Sequence, residues 1–172
     1  MEYYDLVAQA RVMRDELLRQ LGEHREVEEQ MGAEVRELLN TYAEQLELLV
    51  LKNHDFSSAL GGLSEQEIDR EVAALRQKLE GTEHPGLRQE YEKSIAQLER
   101  QRRSVQELGH QREILGLRIQ SAFTLLKQLQ LDFVRLKNAS SAADVQSLAS
   151  LKSRSTEISD YLEGLEDLEE SR

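Results

Sequence analysis

Two long stretches of the chain carry apolar side chains at alternating spacings of four and three residues, and this pattern limits the fold more than any other feature. One stretch runs from Tyr3 to Leu49 and the other from Leu87 to Leu136, and the only proline, Pro85, lies outside both. A mean spacing of 3.5 residues sustained over about seven heptads is typical of α-helices that pack side by side in a coiled coil. The sequence therefore predicts an all-α fold, an elongated antiparallel coiled coil or helical bundle.

Three interruptions divide this pattern into four predicted helices. They are Gly- and Ser-rich residues 53–62, residues 81–86 around Pro85, and residues 138–141. Ser64 with Glu67, and Ser141 with Asp144, have the spacing of a capping box, in which a helix start satisfies its own free N–H groups. We expect one elongated domain over residues 1–172, with two long and two shorter helices at about 3–52, 65–80, 87–137 and 142–169.

Helix lengths and charge predict how these helices are arranged. Residues 86–138 carry a net charge of +4, whereas residues 1–53, 64–84 and 139–172 carry −6, −3 and −5. We therefore expect the basic third helix to be central, with the second helix on its first part and the fourth on its last part. The path of the first helix depends on the loop at 53–63. A tight loop leaves its first half projecting alone, whereas a stretched loop lets it lie along the third helix.

The apolar seam gives the candidate core and interaction residues. Residues 114–136 are apolar beyond the seam positions, and a stripe that wide needs more than one partner helix. Residues 22–30, by contrast, offer only Val27 for burial. Because the first half of helix one has no partner under the tight-loop geometry, we predict a homodimer in which it lies on the other chain. The candidate residues of this core or oligomer seam are Leu17, Leu21, Leu115, Ile119, Leu126, Leu129, Phe133 and Leu136.

Composition excludes several classes of function. The chain has no cysteine, so it has no thiolate metal site or Cys nucleophile, and its net charge of −11 argues against nucleic acid as a partner. It lacks the run of about 20 apolar residues that a membrane span needs. Glu107 and His110 have the Glu-x-x-His spacing found in di-iron carboxylate proteins. Such a site needs a second Glu-x-x-His motif and two more glutamates that point into the bundle. We predict no enzyme activity, no cofactor and no metal.

The basic cluster of residues 100–103 and His24 are the remaining candidates for chemistry. The cluster has an acidic neighbouring helix as its expected partner, with phosphates or lipid headgroups as the alternative. His24 falls on the seam, where it is either a tolerated half-exposed residue or a pH sensor.

The sequence favours a cytoplasmic protein–protein interaction module, a self-associating scaffold or adaptor that binds itself and an unknown protein partner. A long helical hairpin with a surface rich in Gln and Arg also resembles the phage-shock and ESCRT-III-like membrane-remodelling proteins. That resemblance implies, as the alternative, a peripheral protein that contacts membranes through an amphipathic helix. If the chain is a piece of a larger protein, an anchor could lie outside it.

Overall fold

Five α-helices form nearly all of the part of the chain that the structure describes. The computed structural model describes the backbone of residues 3–138 and 146–170, and the side chains of residues 3–135 and 148–167. The helices are α1 (Tyr3–Glu23), α2 (Arg25–Leu60), α3 (Glu65–Glu80), α4 (Pro85–Asn138) and α5 (Gln146–Glu170). No strand occurs within those backbone ranges, so the prediction of an all-α helical bundle is confirmed.

The first predicted helix, at about 3–52, is wrong because the chain reverses near residue 24. Helix α1 ends at Glu23, His24 is non-helical, and α2 contains a second break at Met31, with φ −147° and ψ 15°. Arg11 Nε lies 2.6 Å from a carboxylate oxygen of Glu47, so α1 folds back along α2. The reversal coincides with the polar stretch 22–30, where a continuous seam has little to bury. Only Val27 there is deeply buried, at 3 % exposure.

The other helix ends follow the predicted breaks with two corrections. Helix α2 continues to Leu60 rather than stopping near residue 52, and within this extension the Ser57 hydroxyl donates a hydrogen bond to Asn53 Oδ1 at 3.4 Å. Ser64 is the N-cap of α3, but its hydroxyl makes no capping hydrogen bond. Helix α4 begins at Pro85. Proline suits the first turn of a helix because the backbone N–H that it lacks would have no partner within the helix there. The predicted start near residue 142 and its capping box at Ser141 and Asp144 lie outside the described residues.

The chain divides into two compact units, and the heptad pattern gives no sign of the boundary. Unit 1 comprises Met1–Lys52 and Leu115–Arg172, and unit 2 comprises Asn53–Ile114.

Unit 1 is a bundle built from α1, the first part of α2, the last part of α4, and α5. Tyr42 of α2 points its hydroxyl at Ala122 O of α4, 3.5 Å away, and Arg118 of α4 lies 4.0 Å from the ring centre of Tyr161 in α5. All four segments contribute fully buried apolar side chains, so the core is shared between them. Its largest members are Leu17, Leu21, Leu39, Tyr42, Leu46, Leu49, Leu115, Leu126, Leu129, Phe133 and Leu151.

Unit 2 is a hairpin of α3 on the first part of α4, as the sequence predicted for the second helix. Its core is thin, with only Ile68, Val72, Ile95 and Val105 buried among the described residues. Asp69 pairs with Arg102 at 2.9 Å, and Arg76 pairs with Glu99. Since residue numbers rise along α3 as their partners' numbers fall along α4, the two helices are antiparallel.

Candidate interaction surfaces

The predicted seam residues lie in the core of unit 1, inside a single chain. Each of the seven whose side chain is described is at most 6 % exposed. They therefore pack against other helices of their own chain and offer no open surface to a second chain in this arrangement. The seven are Leu17, Leu21, Leu115, Ile119, Leu126, Leu129 and Phe133; the side chain of Leu136 lies outside the described residues.

The structure also gives α1 partners within its own chain. The homodimer prediction depends in part on a continuous first helix whose first half has no partner under the tight-loop geometry. Ala10, Met13, Leu17 and Leu21 of α1 are instead buried within the chain, because α1 folds back. Self-association consequently needs a different surface or a different conformation.

A buried polar network joins α2 to α5, and the sequence pattern did not reveal it. Gln45 Nε2 donates to Ser155 O at 3.0 Å and to Ser159 Oγ at 2.6 Å, while Ser155 Oγ donates to Gln45 Oε1 at 2.9 Å. Gln45 and Ser155 are 7 % and 8 % exposed. Buried polar groups are tolerated when their hydrogen bonds are satisfied. This network explains how α5 packs closely although its inward face carries serines.

An exposed apolar surface lies on α1 and α2 beside the Arg11–Glu47 ion pair. Ala8 precedes Arg11 by three residues and Leu51 follows Glu47 by four, so both lie on the same side of their helices as the pair. Tyr4 and Val12 lie one turn before and after Ala8, and Leu48 lies one turn before Leu51. We call these five residues, Tyr4, Ala8, Val12, Leu48 and Leu51, the α1–α2 face.

The exposure of this face is high for apolar side chains. Tyr4 is 78 % exposed, Val12 67 % and Leu48 47 %. Exposed apolar side chains on adjacent helices mark candidate interaction surfaces, and tyrosine is among the residues that most often dominate binding energy. Exposed Asp5 and Glu44 lie next to it, so the surroundings of the α1–α2 face are acidic.

The wide stripe predicted on residues 114–136 is only partly covered. Phe123 is buried and Leu125 half-buried, but Leu117 and Leu131 are 60 % and 55 % exposed. These two leucines lie fourteen residues apart, about 21 Å along the helix. Exposed Gln120, Thr124 and Lys127 separate them, so they do not form one continuous apolar patch.

The candidate sites for chemistry do not assemble into a metal or catalytic centre. Glu107 accepts a hydrogen bond from Gln111 at 3.0 Å, and no second carboxylate–histidine set joins it among the described residues. Nor does any group of three or more His, Asp or Glu side chains in that part of the chain lie where it could hold a metal ion. In the basic cluster, Arg102 pairs with Asp69 of the acidic α3, as expected.

His24 has a structural position at the corner between α1 and α2. It is half-buried, its Nε2 lies 2.9 Å from Phe133 O, and its ring centre lies 6.1 Å from that of Phe133. Because a helix carbonyl only accepts, Nε2 must carry the hydrogen of this contact. The ring therefore ties the corner to α4.

Among the described residues, the groups whose pKa is shifted have that pKa moved further from neutral pH. Burial raises the pKa of Tyr42, and it raises that of Tyr161 against the opposing effect of Arg118. The hydrogen bond to Glu47 raises the pKa of Arg11, and the hydrogen bond from Arg19 lowers that of Glu16. A catalytic acid or base works best with a pKa near the working pH. None of these four groups is tuned in that direction.

Comparisons with known proteins found no match to the chain, whether among family models, curated proteins or solved structures. Among the described helices, none combines the length and the apolar character needed to cross a membrane.

Proposed function

We propose that this chain is a non-enzymatic protein–protein interaction module of the cytoplasm, a scaffold or adaptor that binds a partner through the α1–α2 face. The observation that supports the proposal is the exposure of Tyr4, Val12 and Leu48 on two adjacent helices of a well-packed bundle. Folding has already buried the seam residues, so these side chains remain available for another molecule.

The chemistry of the face fits an amphipathic helix of another protein. The exposed residues occupy two adjacent helices, so a third helix can lie in the groove between them, in the helix-in-groove mode of recognition. Its apolar stripe would cover Tyr4, Ala8 and Leu51. Basic residues on its edges would meet Asp5 and Glu44 and steer the encounter.

Affinity capture from the native host, with crosslinking and quantitative mass spectrometry, tests the proposal with a matched control. Leu48 lies on the face and Leu87 lies in unit 2, and their exposures are nearly equal at 47 % and 45 %. We expect Leu48→Gln to lose proteins that the native chain captures, and Leu87→Gln to keep them. Equal capture by the native chain and both variants would show that the face is not the binding surface.

Co-sedimentation with anionic vesicles distinguishes this proposal from the membrane alternative. An interaction module stays in the supernatant with or without lipid. Vesicle binding that Leu48→Gln abolishes would instead assign the same face to a membrane surface.

A further inference from the structure

The corner between α1 and α2 is built from residues that favour a straight helix. Residues 25–30 include Glu, Val and Gln and no glycine or proline, and their backbone is already helical. The reversal depends on His24 and Met31, the non-helical positions there. The heptad spacing also continues without a phase change from Tyr3 to Leu49. Local propensity therefore favours one continuous helix, whereas the tertiary contacts favour the reversal.

Opening the corner within one chain would expose the core. Ala10, Met13, Leu17 and Leu21 would leave the bundle, together with the surfaces that they cover. Burial of large apolar side chains is the main favourable contribution to folding, so exposing these four would be costly. A straightened chain therefore needs α1 of another molecule to fill the vacated site.

The contacts of α1 suit exchange between two copies. Residues 11 and 47, which form the Arg11–Glu47 pair, lie 18 residues on either side of Glu29, inside the corner. Two straight helices crossing antiparallel about a twofold axis at this residue therefore bring residue 11 of each copy to residue 47 of the other. Every contact of α1 is kept, and only the corner differs, which is the condition for domain swapping.

We propose that α1 exchanges between two copies of this chain, with α1 and α2 straightened into one helix and the bundle of each copy completed by the other copy's α1. The proposal commits to a second copy because the vacated site already fits α1. It does not rest on the α1–α2 face or on any other partner, so either proposal can fail alone.

Variants at the corner shift the balance in opposite directions. Gly22 is already helical in α1, and a Cβ there would have nothing within 4 Å, so Gly22→Ala adds no clash in the folded-back chain. His24→Ala removes the contact to Phe133 O, and it places a strong helix former at a position that is helical only in the straight form. Arg25→Pro acts oppositely, because proline suits the first residue of α2 but breaks a continuous helix.

The test is light scattering with size exclusion after refolding from denaturant at low and high protein concentration. For the native chain we expect a species of twice the 19.8 kDa chain mass at high concentration. Gly22→Ala with His24→Ala should lower the dimer dissociation constant by more than about tenfold. Gly109→Ala adds the same helix propensity away from the corner, again with nothing within 4 Å, and should not change the constant.

Arg25→Pro should refold to a monomer whose circular dichroism matches that of the native monomer. If that variant fails to fold, a Gly-Gly insertion after His24 serves the same purpose. A dimer that persists in both would place association on an outer surface and overturn the exchange. If the Gly22→Ala/His24→Ala variant has the mass of a single chain at every concentration, the exchange proposal is also overturned.

Discussion

Gln45 and Ser155 exchange two hydrogen bonds in the core of unit 1, one from the hydroxyl to the amide oxygen and one from the amide to the backbone carbonyl. Replacing one partner leaves a buried polar atom unsatisfied, which costs about 1–3 kcal/mol. We expect Ser155→Ala to lower the free energy of unfolding by an amount in that range, because Gln45 Oε1 loses its donor.

A double-mutant cycle on this pair, measured by urea unfolding, tests the coupling. Gln45→Leu with Ser155→Ala should destabilise the chain by less than the two single changes added together, because neither partner is then left alone. Strict additivity would show that the two side chains are not coupled.

His84 caps the start of α4, since its Nδ1 accepts a hydrogen bond from the Leu87 N–H at 3.3 Å. Gly86 leaves room for the ring: a Cβ there would lie 3.2 Å from His84 Cε1. Losing a helix cap typically costs about 1 kcal/mol. We therefore expect His84→Ala to lower the melting temperature and His84→Asp to retain it. A melting temperature unchanged in His84→Ala would mean that the cap contributes nothing.

Two helical glycines should respond differently to alanine. Gly109 lies in open space, whereas a Cβ on Gly32 would lie 3.1 Å from Glu28 Cδ. Gly109→Ala should stabilise the chain by up to about 1 kcal/mol, through helix propensity alone. Gly32→Ala should gain less or lose, because the Glu28 carboxylate, which also pairs with Arg36, must move. A larger gain in melting temperature for Gly32→Ala would contradict the packing at the corner.

Leu126 and Leu117 lie on the same helix but differ in burial, at 1 % and 60 % exposure. A carboxylate at residue 126 would be buried and unpaired, so Leu126→Asp should cost several kcal/mol of the free energy of unfolding. Leu117→Asp should stay within about 0.5 kcal/mol of the native value. Guanidinium unfolding of both variants checks this, and similar midpoints would disprove the core assignment.

Much of the fold follows from periodicity and turn chemistry. Leu115, Ile119, Leu126 and Leu129 were predicted on the seam and are buried, because a 3.5-residue spacing fixes which face of a helix is covered. The start of α4 at Pro85 also follows from local chemistry.

The reversal at His24 could not be predicted because the local signals that mark it are weak. The corner contains strong helix formers, and the seam spacing continues through it. Gly22, Gly32 and the scarcity of apolar residues between 22 and 30 hint at a change, but none of them specifies a turn. The Gln45–Ser155 network was likewise missed, since a polar residue at a seam position does not reveal its partner.

The α1–α2 face was missed for a related reason. Tyr4, Val12 and Leu48 lie on adjacent helices only once α1 has folded back. No pattern along a straight helix places them together, because residues 12 and 48 are then 36 residues apart.

The distance between α1 and α2 tests the account most directly, and a chain without cysteine suits the measurement. Spin labels on Val12→Cys and Leu48→Cys occupy exposed positions next to the Arg11–Glu47 pair. In labelled protein mixed with unlabelled chain, at a total concentration where light scattering gives the 19.8 kDa mass of one chain, we predict a single short distance. It would correspond to neighbouring helix axes roughly 10 Å apart, with the label arms added. A distance of about 54 Å, the length of 36 residues in one straight helix, would contradict the folded-back chain.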